Sequence, residues 1–479
     1  MAVRRVVRPA VAGALVLAVA AAACATTNDP PVPAGAAGSP TARAPAASPG
    51  PPSPPDPVDV PLVLVIHATR PPLDIGLDLA RDVVAGRVTS WRELGASGGR
   101  LRLVDTVEAV ERDPLAIAAV PADAVGFGVR AVTVAGRHPL RDPQRYPLTV
   151  AGHAAPGPVT TVTVVGDIML GRRVGAALAA VGDHGAALAP TRRRLAGADL
   201  TVGNLESTLS RAGAPQQGGD SFAADPRVLP ALRRAGFDVL SLANNHTGDF
   251  GLRALVQTVD RVTAARITPV GAGRDVKQAR EPAVLERNGI RFGVLAFNAI
   301  GETPPARRDS PGAARIRMQP RTGPLNDTDL RAMQAAVRRL DRTTDIVLVL
   351  PHWGDQYTNR PVADQRRVAR ALVDAGADLI VGGHPHWVQG IELYRDKLVA
   401  HSLGNYVFDM DFSRETREGV ILELTFWGSE LKAAEFVPVV IGSDFAPRVV
   451  TGAAAARILD RMWQTSGAPF SAARSAMSR

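Results

Sequence analysis

Five short runs of β-branched and apolar residues between positions 161 and 386 each end in a polar cluster set among Gly, Pro or Asn. Thr161 to Val165 leads to Asp167, and Leu200 to Gly203 leads to Asn204 and Glu206. Phe237 to Leu242 leads to Asn244, Asn245 and His246, Asp345 to Leu350 to His352, and Asp378 to Val381 to His384 and His386. Segments with the features of helices fall between the runs, at 173–180, 186–196, 227–235, 252–265, 327–340 and 362–375. Strands alternating with helices predict an α/β fold. Such folds gather ligands beyond the carboxyl ends of their strands, so five polar clusters at that end predict one site on a sheet edge.

The last cluster gives that site its chemistry. His384 and His386, two residues apart, are expected to share one side of an extended backbone and so one pocket. Pro385 stiffens the segment, and Gly382 and Gly383 leave room for close approach. Four of the nine His (His246, His352, His384, His386) sit in compact motifs with Asn, Gly or Pro. Neutral imidazoles beside carboxylates suit a divalent metal such as Mn, Zn or Fe, and the donor types do not choose among them. The other five, His67, His138, His153, His184 and His401, are read as structural or surface residues.

The rest of the chain sets bounds. With 479 residues and 46% hydrophobic content there is enough for two or three domains. Aromatic content of 4% argues against a base-stacking surface, and Arg scattered along helices accounts for the net charge of +9, so no nucleic-acid partner is expected. Arg4, Arg5 and Arg8 precede an apolar run from Val11 to Ala23 that is short for a membrane span and reads as a signal segment, residues 1–23. Cys24, the single Cys, follows at once. Ala21-Ala22-Ala23-Cys24 resembles a bacterial lipoprotein processing site, with Ala21 where Leu is usual. The resemblance implies lipidation at Cys24 and an exported protein on the outer face of the cytoplasmic membrane, with a secreted protein as the alternative. Residues 24–57 are rich in Pro, Ala, Gly and Ser and read as a disordered tether.

Residues 58–155 read as a small α/β domain. Its stretches RDVVAGRVTSWRELG (Arg81 to Gly95) and DPLAIAAVPADAVGFGVRAVTVAG (Asp113 to Gly136) resemble part of the periplasmic phosphate-binding proteins. The likeness covers about one lobe, and the segment has no Ser/Thr-Gly cluster to cradle an anion. Docking or recognition is therefore the expected role, with phosphate binding as the alternative.

The motifs GDIMLGR (Gly166 to Arg172), GNLES (Gly203 to Ser207), AGFDVLSLANNHTGDFG (Ala235 to Gly251), HWGDQY (His352 to Tyr357), GGHPHWVQ (Gly382 to Gln389) and SLGNYVFD (Ser402 to Asp409) occur in that order. Together they resemble the CapA family of poly-γ-glutamate capsule synthesis proteins, which is in turn similar to calcineurin-like metallophosphoesterases. The resemblance implies a four-layer α/β/β/α sandwich over residues 160–445, followed by a C-terminal helix and tail at 446–479. It also implies a dinuclear metal site of about 3.5–4 Å spacing. Asp167, Glu206 and His386 would hold one ion, and Glu206, Asn245, His352 and His384 the second. His246 would act as general acid, with Asp167 also in the catalytic set. This chain departs from that pattern at Met169, where a His is expected, and at Glu206, where an Asp is expected. Met is a poor ligand for a hard cation, so the first ion is expected to be weak or missing.

Arg172, Asn204, Asn244, Tyr357, Gln389 and Asn405 adjoin these motifs as supports of ligands or contacts to substrate. Asp249 is read as the cap of the next helix, and Trp353 and Trp387 as pocket walls. Three functions follow: a metal-dependent hydrolase or transferase acting on a phosphate ester, an amide or an acidic polymer; a non-catalytic component of polymer export working with envelope polymer-synthesis proteins; or a phosphate-scavenging or sensing lipoprotein.

Overall fold

Strand β1 (Val58–His67) is buried on both faces, and the reason is where its sheet sits. The structure is a computed structural model and describes residues 58–152 and 156–471. Around β1 lie β2 (Arg102–Val104), β3 (Ala116–Pro121), β4 (Val129–Ala131) and β5 (Thr149–Gly152), in the order β2-β3-β1-β4 with β5 on the first half of β1. Leu64 and Ile66 pack with Ala80, Val83 and Trp91 of the domain's own helical layer. The alternate residues Val63 and Val65 pack against Trp427 and Ala433 of the larger domain. Side-chain alternation across one strand thus serves two cores.

The described residues form one compact unit, and its part from Val159 onward carries two large sheets besides a two-stranded pairing of Ala272–Gly273 with Gly312–Ala313. The first comprises β6 (Val159–Ile168), β7 (Leu200–Leu205), β8 (Phe237–Ser241) and β9 (Thr268–Val270). The second runs through β10 (Ala283–Arg287), β11 (Ile290–Asn298), β12 (Ile346–His352), β13 (Leu379–Val381), β14 (Ile391–Tyr394) and β15 (Lys397–Ala400). The chain then returns to the first sheet with β16 (Asn405–Val407), β17 (Glu418–Trp427), β18 (Glu430–Ile441) and β19 (Pro447–Val449). The strand orders are β9-β8-β7-β6-β17-β18-β19, with β16 beside the end of β6, and β10-β11-β12-β13-β15-β14. Strands β6 to β9 are mutually parallel, as are β11, β12, β13 and β15.

Val162, Val164, Leu200 and Val202 of the first sheet meet Phe292, Val294, Ile346 and Leu348 of the second in the central core. Outside the first sheet, α1 (Arg172–Val181), α2 (Arg192–Ala196), α3 (Leu229–Arg234) and α4 (Gly251–Ala264) bury Val174, Leu195, Leu232 and Leu255. Outside the second, α5 (Asp327–Asp341) and α6 (Ala363–Val373) bury Met333, Val337, Val368 and Leu372. The architecture is the four-layer α/β/β/α sandwich. Helix α7 (Gly452–Trp463) adds Ile458 and Met462 to the central core, and β19 extends the first sheet past residue 445.

Two expectations change in detail. The helix expected over 186–196 is a 3₁₀ turn at Ala186–Leu188 followed by α2, because Pro190 has no N–H to donate and displaces its predecessor from helical geometry. The short strands β14 to β16 lack the length that periodicity needs to reveal them. The signal segment, Cys24, the tether through residue 57, His153 and residues 472–479 lie outside the described residues. Among the described residues no helix is long and apolar enough to cross a membrane.

Candidate metal centre

The two sheets deliver the polar clusters to one place. Asp167 lies opposite Asn204 of β7 and Asn405 of β16, and His352, at the end of β12, lies opposite Gly383. Asp167, Glu206, Asn245 and His246 come from the first sheet, His352, His384 and His386 from the second. None of the seven is more than 5% exposed.

Glu206 is the hub. Its Oε1 lies 3.7 Å from His352 Nε2 and 3.9 Å from both His246 Nε2 and His386 Nε2. Ligand atoms of Glu206, His384 and His386 all lie within 4.8 Å of one another, and so do those of Asp167, Glu206 and His352. Asn245 Oδ1 joins the second group at 2.7 Å from His352 Nε2. Glu206 is common to both groups. His386 also borders Asp167, with its Nδ1 3.6 Å from Asp167 Oδ2 and 2.9 Å from Asn405 Oδ1, while its Nε2 faces Glu206. Asn405 Nδ2 donates to the Thr416 carbonyl, which fixes the amide so that Oδ1 accepts from the His386 ring.

The residues fit a divalent cation. Both Glu206 oxygens, both His384 ring nitrogens and His386 Nε2 are buried with no hydrogen-bond partner among the described residues. An orphaned buried polar atom costs on the order of 1–3 kcal/mol, and five in one place call for a shared partner that accepts lone pairs. Electrostatics agree. Burial raises Asp167 to about 6, and burial together with the Asp167 charge holds Glu206 well above the usual carboxyl range. Burial lowers His386 to about 4 and holds His352 and His384 well below their ordinary value. The imidazoles are therefore neutral, as ligation requires.

The supports are legible atom by atom. Asn204 Nδ2 donates to Asp167 Oδ1 at 2.8 Å, and the His384 backbone N–H donates to Oδ2 at 3.0 Å. Asn244 Nδ2 donates to Asn204 Oδ1 at 3.0 Å and to the Leu205 carbonyl at 2.8 Å, tying the ends of β7 and β8 together. His384 and His386 are not on extended backbone. Their φ angles are +95° and +58°, conformations that L-residues keep only where the surroundings hold them. A Cβ at Gly382 would sit 2.2 Å from the His401 carbonyl oxygen, and one at Gly383 2.4 Å from Asp167 Oδ1, so both Gly are needed for close approach.

His246 is clamped on the near side. Its Nδ1 lies 2.8 Å from Asp249 Oδ2, and its ring stacks on Phe222 at 3.7 Å between centroids. Asp249 therefore orients the imidazole. It does not cap α4, whose first turn takes no side-chain cap. The Arg172 guanidinium covers Phe222, 4.2 Å from its ring, and is itself paired with buried Asp409. Phe222, from a loop without strand or helix pattern, is absent from the sequence reading. An aromatic residue among Gly, Gln and Ser is the only signal it offers.

Other expected residues take structural places. Met169 is buried in the outer core, and its Sδ accepts the Gly171 N–H at 3.1 Å. Gln389 is fully buried, bonded to Gln365 and to the Thr358 carbonyl, so it holds the loop that carries Tyr357. Tyr357 is 39% exposed and stacks above His386, with Phe412, 65% exposed, against its edge. Trp353 is buried beneath the site, bonded to the His401 carbonyl, and Trp387 faces Arg461, so neither walls the pocket as expected.

A profile of the family described as "Bacterial capsule synthesis protein PGA_cap" matches residues 161–410, more than half of the chain. The chain belongs to this family. Every residue of the cluster falls within the matched span. This capsule-synthesis family protein is 32% identical over 299 residues to the "Capsule biosynthesis protein CapA" of Bacillus anthracis, covering 61% of this chain and 70% of that one. Among solved structures, the 5'-nucleotidase of Candida albicans SC5314 aligns at 11% identity over 61% of this chain and 54% of that one, with a TM-score of 0.37. A phosphate ABC transporter substrate-binding protein from Clostridium perfringens aligns at 19% identity over 19% of this chain and 54% of that one, with a TM-score of 0.17. So slight a likeness adds nothing to the phosphate-binding reading of the small domain.

Proposed function

We propose that this protein is an exported, metal-dependent hydrolase or transferase that acts on a phosphate-ester or acidic-polymer substrate during synthesis of poly-γ-glutamate or a similar envelope polymer. The observation that carries the reading is the set of buried, unpartnered donor atoms gathered on Glu206. Glu206 with His384 and His386, and with Asp167, Asn245 and His352, would hold one or two divalent ions. Such an ion would polarise a phosphoryl or carbonyl oxygen and offset developing negative charge. The chain's own residues supply the rest. His246, bonded through Nδ1 to Asp249, presents Nε2 toward the cluster as a general acid, and Phe222 fixes its plane. Capsule biosynthesis in the name of the Bacillus anthracis relative supports the polymer. Export and anchoring through Cys24 rest on the N-terminal sequence, and equal membrane retention of Cys24→Ser would remove them.

The commitment of Met169 to the core favours a second reading, in which the site keeps its metal and binds polymer without turnover. Metal analysis of the purified chain, joined to a screen of phosphoesters and γ-linked glutamate oligomers, separates the two. Metal with turnover that His246→Ala abolishes supports the enzyme. Metal with no turnover on any substrate supports the binding component.

A further inference from the structure

The segment from Gly301 to Pro324 joins β11 to α5 and holds five Arg (Arg307, Arg308, Arg315, Arg317, Arg321) against two acids, Glu302 and Asp309. A connection of this length with so little regular structure is uncommon in a compact domain unless it serves a function. It is not loosely placed. Ala314 N–H donates to the Gly271 carbonyl, Ile316 N–H to that of Asn298, and Gln319 N–H to Asp364. It also abuts the metal centre on two sides. Asn298 is the register partner of His352, and Thr303 Oγ1 accepts the N–H of Gly248, two residues from His246.

Between this segment and the sheet edge lies a cavity of about 200 Å³, lined in part by Glu302, Thr303, Arg315, Arg317 and Thr322. Its neutral polar groups are already used. Asn298 bonds Gly301 and Ile300, and Thr322 bonds the Ala299 and Met318 carbonyls. The guanidinium groups are not. Arg315 has one contact, to Asp329 at 3.3 Å, and Arg317 has no side-chain partner among the described residues. Arg321 meets only Glu302, at 3.3 Å, with both side chains about one-third exposed, and it lies within electrostatic reach of His384 and Tyr357. A pair so exposed is weak, and a desolvated, bidentate Arg–oxyanion contact is stronger, so an incoming anion can displace Glu302. Glu302 itself has φ +48°, beside Gly301 at +99°, which places backbone strain at this point of the loop.

We propose that the 301–322 loop is an anion subsite beside the metal centre, in which Arg315, Arg317 and Arg321 take the oxyanion groups flanking the bond acted upon. This rests on the reading that the metal centre works on an acidic substrate. Carboxylates of a polymer and phosphoryl groups share the chemistry that would be recognised, and the test separates them.

The full chain, purified with its bound metal, is titrated calorimetrically with a γ-linked glutamate tetramer, with the matching neutral γ-linked glutamine tetramer, and with diphosphate. Each titration is run at low and moderate salt. The wild type is expected to bind an anion that the neutral tetramer cannot replace, and Arg317→Ala/Arg321→Ala to weaken it about tenfold or more per arginine removed, with a shallower salt dependence. The control Arg331→Ala/Arg338→Ala, which removes the same charge from α5, should retain wild-type affinity. Arginine-dependent binding of the glutamate tetramer assigns the subsite to carboxylates, and of diphosphate to phosphoryl groups. Unchanged affinity in the double variant, equal loss in the control, or no anion binding by the wild type would overturn the proposal. Metal content is read in the same samples. Loss of metal from the wild type would sink the metal reading, whereas retained metal without arginine-dependent binding sinks only the subsite.

Discussion

Two polar clusters among the described residues, one beside the small sheet and one around Glu206, differ in how their carboxylates are partnered. At the interface with the small domain, Glu423 and Glu435 of the β17–β18 hairpin are met by Arg141, which contacts both, with Arg194 on Glu423 and Arg130 and His138 near Glu435. Both carboxylates have cationic partners. At the metal centre Glu206 has none, and the imidazoles around it leave nitrogens unused. Glu435 is 18% exposed and faces guanidinium groups, Glu206 is fully buried among imidazoles, and the electrostatic outcome is opposite. Burial pushes Glu435 up, but His138, Arg141 and Arg130 together hold it well below the usual carboxyl range. At Glu206 burial is reinforced by Asp167 and Asp249 and opposed only by Arg172, and the carboxyl stays well above that range. A satisfied cluster joins two domains, and an unsatisfied one waits for a cation.

Breaking the comparison at its centre should give the largest effect. Glu206→Gln is expected to lower bound metal by at least about tenfold by elemental analysis, while the metal-free protein keeps its unfolding free energy within about 1 kcal/mol. The isosteric amide removes a ligand and no existing hydrogen bond. Glu435→Ala should do the reverse. It strips Arg141 and Arg130 of a buried partner and is expected to cost about 3 kcal/mol in chemical denaturation, with metal content unchanged.

The pH responses sharpen the contrast. Glu435, depressed when folded, contributes stability that is fully present above its unfolded value of 4.5 and is lost progressively as pH falls below that toward the lower folded value. The denaturation midpoint should therefore fall in acid, and less steeply in Glu435→Gln. Glu206, raised when folded by burial and by the neighbouring Asp167 charge, holds a proton more tightly than a free carboxyl, so metal uptake must displace any proton it carries. Calorimetric titration with Mn in two buffers of different ionisation enthalpy should show that proton in the wild type and not in Glu206→Gln. The smallest effect concerns Met169. Met169→Leu keeps the volume and loses only the contact to Gly171, so it should cost less than about 1.5 kcal/mol and leave metal content as it was.

What the sequence made legible follows period and motif. The five strand ends with Asp167, Glu206, Asn245, His352 and His384/His386 are where the alternation of strand and helix put them. The division of those strands between two sheets left no trace in periodicity and came only through the resemblance. Residues whose role depends on a particular backbone were misread for the same reason. His384 and His386 converge through positive φ and not through extended geometry, and Asp249 turns to His246 instead of capping a helix. Phe222 reaches His246 from 24 positions away, out of a loop with no strand or helix period, where no local spacing can announce it.

Both readings of the site require that the unpartnered atoms around Glu206 bind a divalent ion. Anomalous scattering from crystals grown with Mn, collected beside metal-free controls, tests it directly. The predicted result is a peak among Glu206, His384 and His386 or among Glu206, Asp167 and His352, absent in Glu206→Gln. A wild-type map with no peak at either set, from protein shown to be folded, would contradict it.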